Sequence, residues 1–507
     1  MTTIFQRGGA WLALTALLSA PAIAADQAGC KYVQIGELPL RYIGANFQPA
    51  IDGFINGKPA PMLIDTGASR TMMTSYAADR LDLHQRATGA HAVGIGGETR
   101  LYGVRVDDLQ VGPTHTGRRN INVIGEMGSV PEFDAIVGAD FLFQADIEFS
   151  LAEKQVRFFR PLDCKDSHLA YWGDAVAVPF TGSFGDSRNQ VFEVELNGVK
   201  LDAIIDSGAS ASFVFINGAR KAGVDIDSAG TVKAASAVGV GADKLEQWRA
   251  VFKTLKIGDE TIRDAELHIS ADPNTGRQNA DVLLGSDFLR SHRVLFAMSQ
   301  RRLYITYQGG DIFSRGAVAI EPWLQKEADQ GNPHAQYVLA RKYLAGSGVA
   351  RDTAAGASWL QKAAQQGHPR AAYQVGPAML HAGKSAESAA LFGNLLLKRP
   401  AESRAALYLY LAQLQGGDGA GAARALEARV AADKQRDWPA PVADFYLGRI
   451  DAAQLAAQAA REPAQARVRG CDAKLMMSEL AGAQGDKEKA RTLHDAWRTQ
   501  CAGAPAP

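Results

Sequence analysis

Two lobes built mainly of short β-strands, followed by an all-helical repeat region, is the multidomain fold class that this sequence predicts. Three observations predict it. A segment occurs twice in the first 300 residues with the same order of features. Val, Ile, Phe and Thr alternate with polar residues through both copies. Past about residue 315 the pattern switches to Ala-rich helical periodicity.

At 507 residues the chain is too long for one hydrophobic core, and size alone divides it into roughly three domains. A composition of 47% hydrophobic and 21% charged residues is that of a folded protein. Lys plus Arg and Asp plus Glu both number 54, so no net charge draws the chain to nucleic acid or to an anionic membrane. Function is therefore expected at a local site.

The opening stretch MTTIFQRGGAWLALTALLSAPAIAADQ sets Arg7 before about a dozen apolar residues and then Ala22-Ile23-Ala24, a small-x-small cleavage pattern. Residues 1–24 are expected to be a signal peptide and the chain to be exported, to a periplasm or outside the cell. The apolar run falls short of the roughly 20 residues that cross a bilayer, and no later stretch is long enough.

The first lobe is expected over residues 25–165 and the second over 166–312. IDGFINGKPAPMLIDTGAS aligns with FEVELNGVKLDAIIDSGAS, each with an Asn-Gly pair nine residues ahead of an aspartate, at Asn56 and Asp65 and at Asn197 and Asp206. Asn-Gly between alternating apolar runs signals a hairpin, because both turn positions require positive φ. Each aspartate thus follows the second strand of a hairpin. Downstream, HAVGIGGETRLYGVRV and SAVGVGADKLEQWRAV are Gly-punctuated hairpin candidates. DAIVGADFL and DVLLGSDFL close the two copies, with 73 residues from Asp65 to Gly138 and 79 from Asp206 to Gly285.

From residue 313 to 507 a helical domain is expected. Trp323 and Trp359, each opening Trp-Leu-Gln-Lys, lie 36 residues apart, the period of a stacked helix-turn-helix repeat whose core they are expected to join. The pattern is weak between about 375 and 440. Near the end, Gly485-Asp486 reads as the turn of an antiparallel helix pair, which would bring Cys471 and Cys501 together. Four cysteines in an exported chain favour disulfides, with Cys30–Cys164 bracketing the first lobe as the other pair. A rival reading makes Cys30 a lipid-attachment residue after Gln27-Ala28-Gly29. Against it stand Gln27, where an aliphatic residue is wanted, and Asp26.

Two Asp-(Thr/Ser)-Gly-Ala motifs, each after a hairpin and each followed by an apolar-apolar-Gly segment, resemble aspartic peptidases, specifically retropepsin-like lobes fused in the tandem, pepsin-like manner. The resemblance spans roughly residues 40–305 and implies an acid-protease fold. It implies that Asp65 and Asp206 form a dyad that activates water for peptide-bond hydrolysis, with no metal and no cofactor. It implies that Thr66 and Ser207 hydrogen-bond across the lobes, that Gly67 and Gly208 permit the tight loop, and that hairpin tips at Gly94, Gly96 and Gly97 and at Gly239 and Gly241 act as flaps. Neither tip carries the aromatic residue of a pepsin flap; Tyr102 lies beyond the first. A retropepsin-like pair also forms from two chains, which leaves oligomeric state open.

The histidines show no metal-ligand spacing, and Ser, His and Asp form no hydrolase elbow. Asp140 and Asp287, repeated as ADFL and SDFL, read as a start-of-helix or turn feature rather than as extra catalytic acids. The helical pieces resemble Sel1-type and tetratricopeptide repeats, implying a docking surface for a protein partner beside a polypeptide substrate. The alternative reading is a scaffold that grips peptides without cutting them.

Overall fold

The computed structural model describes residues 23–27, 29–128, 130–183, 189–271, 280–313, 320–432, 436–463 and 465–501. The expected signal segment lies outside the described residues up to position 22. The chain divides into two compact units, 1–315 and 316–507.

The first unit is β-rich. Strands Gln48–Ile55 and Lys58–Ile64 form one Asn-Gly hairpin, and Gln190–Leu196 with Val199–Ile205 form the other. Both residues of each turn are left-handed, with φ of 50° and 74° at Asn56-Gly57 and 51° and 85° at Asn197-Gly198. Only Gly and, at small cost, Asn accept that geometry, which is why the dipeptide marks the turn.

From these hairpins the two lobes repeat one pairing scheme. Lys58–Ile64 lies parallel to Ala135–Val137, and Val199–Ile205 lies parallel to Val282–Leu284. Those three-residue strands pair antiparallel with Met72–Thr74 and Phe213–Phe215, which run parallel to Arg119–Ile124 and Glu260–Ser270. All twelve residues of the four short strands are buried, as continuous apolar strands covered on both faces must be.

A six-strand run joins the lobes in the order Cys30–Pro39, Gln155–Leu162, Asp146–Ser150, His292–Ala297, Arg302–Tyr307, Val176–Ser183. The halves meet where Ile147 to Ser150 pair antiparallel with Phe296 to Arg293. Phe143 and Phe149 pack on Phe296 with ring centroids 5.1 and 5.8 Å apart, so a single apolar core passes between the lobes. Burial of a side chain such as Phe296 contributes about 1.5–3 kcal/mol. Cys30 and Cys164 are disulfide-bonded at one edge of this sheet, which leaves Cys30 no thiol for a lipid thioether.

The second unit is helical from Pro322 to Gln500, and successive helices pack on one another. Helices Pro333–Ala345 and Pro369–His381 start 36 residues apart, each with proline in its first turn and a capping side chain, Asn332 or His368, before it. Small residues fill the space between helices: Ala363, Ala364, Ala371 and Ala372 are buried. Trp323 and Trp359 are only partly buried, a correction to the expected core role, because the inward positions of these helices are taken by neighbours such as Leu324 and Ala363. The Trp359 ring instead carries the Lys362 ammonium 4.1 Å above it. Through the stretch where the repeat pattern is weak, helices Ser385–Lys398, Ser403–Gln415 and Gly419–Ala432 continue. There Arg404 meets the buried Asp472 carboxylate through two bonds of 2.7 and 2.6 Å, and Trp438 donates to the same group. Helices Ala466–Ala483 and Lys487–Gln500 form the expected antiparallel pair, turned at Gly485 and joined by Cys471–Cys501.

Candidate functional site

Each hairpin strand delivers its aspartate to the same place. The Asp65 N–H donates to the Val137 carbonyl at 3.1 Å, and the Asp206 N–H donates to the Leu284 carbonyl at 2.8 Å. Each side chain then folds back onto its own loop: Asp65 Oδ1 accepts from the N–H groups of Gly67 and Ala68 at 2.9 and 2.8 Å, and Asp206 Oδ1 from those of Gly208 and Ala209 at 2.9 and 3.1 Å.

The loops interlock. The Thr66 hydroxyl donates to the Ile205 carbonyl at 2.8 Å and accepts from the Ser207 N–H at 3.0 Å. The Ser207 hydroxyl mirrors it, donating to the Ile64 carbonyl at 2.7 Å and accepting from the Thr66 N–H at 3.1 Å. Both hydroxyl residues are buried. A Cβ on Gly67 would lie 2.3 Å from the Asp206 carboxyl carbon, and one on Gly208 would lie 2.4 Å from that of Asp65. Neither glycine has positive φ, so the reason for glycine is room for the opposite carboxyl rather than the tight turn expected of it.

The two carboxyl groups come within hydrogen-bonding reach of each other. They stay partly accessible at the protein surface, yet enough protein surrounds them that desolvation dominates their ionisation. Burial raises the Asp65 carboxyl well above the ordinary carboxylate range, and the neighbouring Asp206 charge raises it further, against the N–H groups of Ala68 and Gly67. Burial also raises Asp206, opposed by the hydrogen bond from Asp65 and the N–H groups of Ala209 and Gly208. Two such acids exchanging one proton titrate as a unit.

The supporting strands are locked in the same way in both lobes. Asp140 accepts from the Thr71 N–H and hydroxyl, both at 2.7 Å; Asp287 accepts from the Ser212 N–H at 2.9 Å and its hydroxyl at 2.6 Å. Both aspartates lie in the first turn of short helices, one of the two readings that their recurrence allowed. A Cβ on Gly138 would sit 2.5 Å from the Arg70 carbonyl carbon, and one on Gly285 would sit 2.7 Å from that of Ala211.

The hairpin Arg86–Gly94 and Gly97–Val106 turns tightly with Gly94 opposite Gly97. The second expected hairpin is irregular: Ala237 bridges Leu245, and the chain between them lends its tip to the first hairpin. The Gly96 N–H donates to the Val240 carbonyl at 2.8 Å, and the Asp243 N–H to the Gly96 carbonyl at 2.9 Å. Contact is close enough that a Cβ on Gly241 would lie 2.1 Å from the Gly96 oxygen. The sequence GVGADK lacks the strand alternation that would have made a regular arm.

Two site residues escaped the sequence reading. The Gln48 side-chain amide donates to the Gly208 carbonyl at 2.9 Å, and that of Asn189 donates to the Gly67 carbonyl at 2.6 Å, each reaching into the opposite lobe. Both lie 17 residues ahead of their own lobe's aspartate, an equal spacing that was available in the sequence. Beside the second loop a cavity of about 500 Å³ is lined by Ser210, Ser212, Arg249 and His268, among others. A larger one, about 820 Å³, opens between Val176 and Tyr307 and contains neither aspartate.

A family model described as "gag-polyprotein putative aspartyl protease" matches the chain twice, over residues 51–144 and 192–291. Each match holds one aspartate loop and its apolar-apolar-Gly strand. No curated protein matches the chain. Among solved structures, the crystal structure of aspartic proteinase from Irpex lacteus is similar with a TM-score of 0.35 and 12% identity, over 54% of this chain and 97% of that one. By the two family matches and the helices from Pro322 on, the chain carries an N-terminal aspartyl-protease-like domain, made of two sub-regions, fused to a C-terminal all-helical domain.

Proposed function

We propose that this protein is an exported aspartic endopeptidase whose lobes, 25–165 and 166–312, supply Asp65 and Asp206 as the catalytic pair. The observation that carries the reading is the crossed Thr66–Ser207 bonding, which holds two largely desolvated, mutually repelling acids against each other. Nothing in the packing requires two carboxyls there, and burial of like charges is unfavourable unless their shared proton is used.

In this reading one carboxyl is ionised and the other protonated. A water held between them attacks the peptide carbonyl carbon, its proton passing to the ionised carboxyl while the protonated one gives its proton to the carbonyl oxygen. The tetrahedral diol collapses as a proton reaches the leaving nitrogen and the C–N bond breaks, giving a carboxylic acid and an amine. The tips at Gly94–Gly97 and Gly239–Gly241 act as flaps that part for substrate and exclude water on closing. Two disulfides support an oxidising compartment. The 36-residue helical period supports a Sel1 or tetratricopeptide-like domain that docks a protein partner.

The test is cleavage of a denatured protein between about pH 3 and 7 by the wild type, Asp65→Asn and Asp206→Asn. Cleavage by the wild type and none by either variant is expected. Peptide binding without cleavage by all three would replace the peptidase with a binding scaffold.

A further inference from the structure

The amides of Gln48 and Asn189 do more than touch the opposite loop. The Gly67 carbonyl that accepts from Asn189 belongs to the same peptide group as the Ala68 N–H, which donates to Asp65 Oδ1 at 2.8 Å. On the other side, the Gly208 carbonyl that accepts from Gln48 shares its peptide group with the Ala209 N–H, which donates to Asp206 Oδ1 at 3.1 Å. Each aspartate thus ends a chain of three links: side-chain amide, one peptide group, carboxyl. The orientation of Asn189 is unambiguous, because its oxygen turned toward the Gly67 carbonyl would set two acceptors against each other.

A hydrogen bond to a carbonyl polarises the peptide group and makes its N–H a stronger donor. A stronger N–H donor favours the ionised form of the carboxyl that accepts from it. The ionisable group facing each carboxyl is the other carboxyl; the remaining partners are the N–H groups of Gly67, Ala68, Gly208 and Ala209. Among the described residues little else sets the charge balance of the pair, and the two amides act on it through a single peptide group each.

We propose that Gln48 and Asn189 are positioning residues that tune the dyad crosswise, each stabilising the charged form of the carboxyl whose loop it grips in the opposite lobe through the intervening peptide group. The inference deepens the peptidase reading and rests on it. The pair is broken in length: Asn189 grips at 2.6 Å and the longer Gln48 at 2.9 Å. Asn189 is therefore the stronger of the two.

The experiment is the pH profile of kcat/KM for the full chain and for Asn189→Leu, Gln48→Leu and Asn189→Gln. Loss of the amide raises the affinity of the pair for protons, so both limbs of the profile move to higher pH. At a fixed pH on the acid limb kcat/KM falls about two- to fivefold, the strengthening expected of one polarised bond. Asn189→Gln, which keeps the amide, restores at least part of the shift, and Asn189→Leu moves the limbs further than Gln48→Leu. A profile whose height drops while its limbs stay in place would assign the residues to packing alone and overturn the proposal. Should Asn189→Leu fail to fold, Gln48→Leu carries the same expectation. Carboxyl carbon NMR titration of aspartate-labelled chain reads the same shift without catalysis. A chain that cuts no peptide but shows the shift sinks the peptidase reading and keeps the relay; one that cuts with unmoved carboxyl titrations does the reverse.

Discussion

Replacing Ser207 by Ala removes one hydroxyl from the crossed bonding and leaves two buried groups of the other lobe short of a partner. The Thr66 N–H, in a residue 1% exposed, loses its acceptor, and the Ile64 carbonyl loses a donor at 2.7 Å. An unsatisfied buried donor costs about 1–3 kcal/mol and the lost hydroxyl bond about 1 more, for a total of about 2–4 kcal/mol. For a β unit of this size that is about 4–8 °C in its melting transition. Thr66→Val makes the mirror change, orphaning the Ser207 N–H and the Ile205 carbonyl, and carries the same expectation. The two sets of bonds share no atom pair, but both hold the same interface. Once one set is gone water reaches the other, so the double variant costs less than the two singles added, by about 0.5 kcal/mol or more. Calorimetry on the four proteins, following the transition of the first unit separately from that of the second, makes the cycle. Single variants that each lose less than about 0.5 kcal/mol would mean that water already satisfies these groups and that the interlock does not hold the loops.

Three further outcomes are expected. Both aspartates are raised in the folded chain above the ordinary value of 3.8, so their contribution to stability is fully present below that value and is lost as pH rises through the folded values; Asp65→Asn should raise the melting temperature of the first unit at pH 7 and leave it nearly unchanged at pH 3, by thermal scans at both. Gly285→Ala should cost about 1–3 kcal/mol in chemical denaturation, because its Cβ would meet main-chain atoms of Ala211 at 2.7 and 2.8 Å that have no room to yield. Converting both Cys471 and Cys501 to Ser releases a cross-link of 30-residue separation, and loop entropy puts the loss at about 3–4 kcal/mol, read as an earlier melting of the second unit with the first unmoved.

The parts of the site that were legible in the sequence are those where one residue type alone meets a local demand. Asn56-Gly57 and Asn197-Gly198 mark their turns because two consecutive left-handed positions exclude almost everything else. Gly138 and Gly285 could be recognised because they recur, and the structure supplies the reason in the backbone that presses on them. Partnership across long separations could be read only where a repeated motif or a cysteine marked both ends. Nothing local to Ile147 names Phe296 as its neighbour, and nothing local to Asn189 names Gly67. The helices between about 375 and 440 were faint because apolar residues stand on more than one face, Leu391 and Leu395 buried but Leu397 exposed, which flattens the contrast that periodicity depends on. The tryptophans misled differently: their recurrence marked the repeat, while the core is filled by other residues, such as Phe392, Tyr408 and Leu411.

The strand Asp146–Ser150 lies against His292–Ala297 within a single polypeptide, and this pairing bears on dilution. Halves made as separate chains would meet at a rate set by their concentration and part when thinned. Here each finds the other at a local concentration fixed by the covalent linkage, the same at nanomolar as at millimolar protein. The linkage also frees each half from its twin: a substitution in a symmetric pair of chains is made twice, whereas here one half can change alone. Gln48 in one half where the other carries Asn189 is such a difference already present.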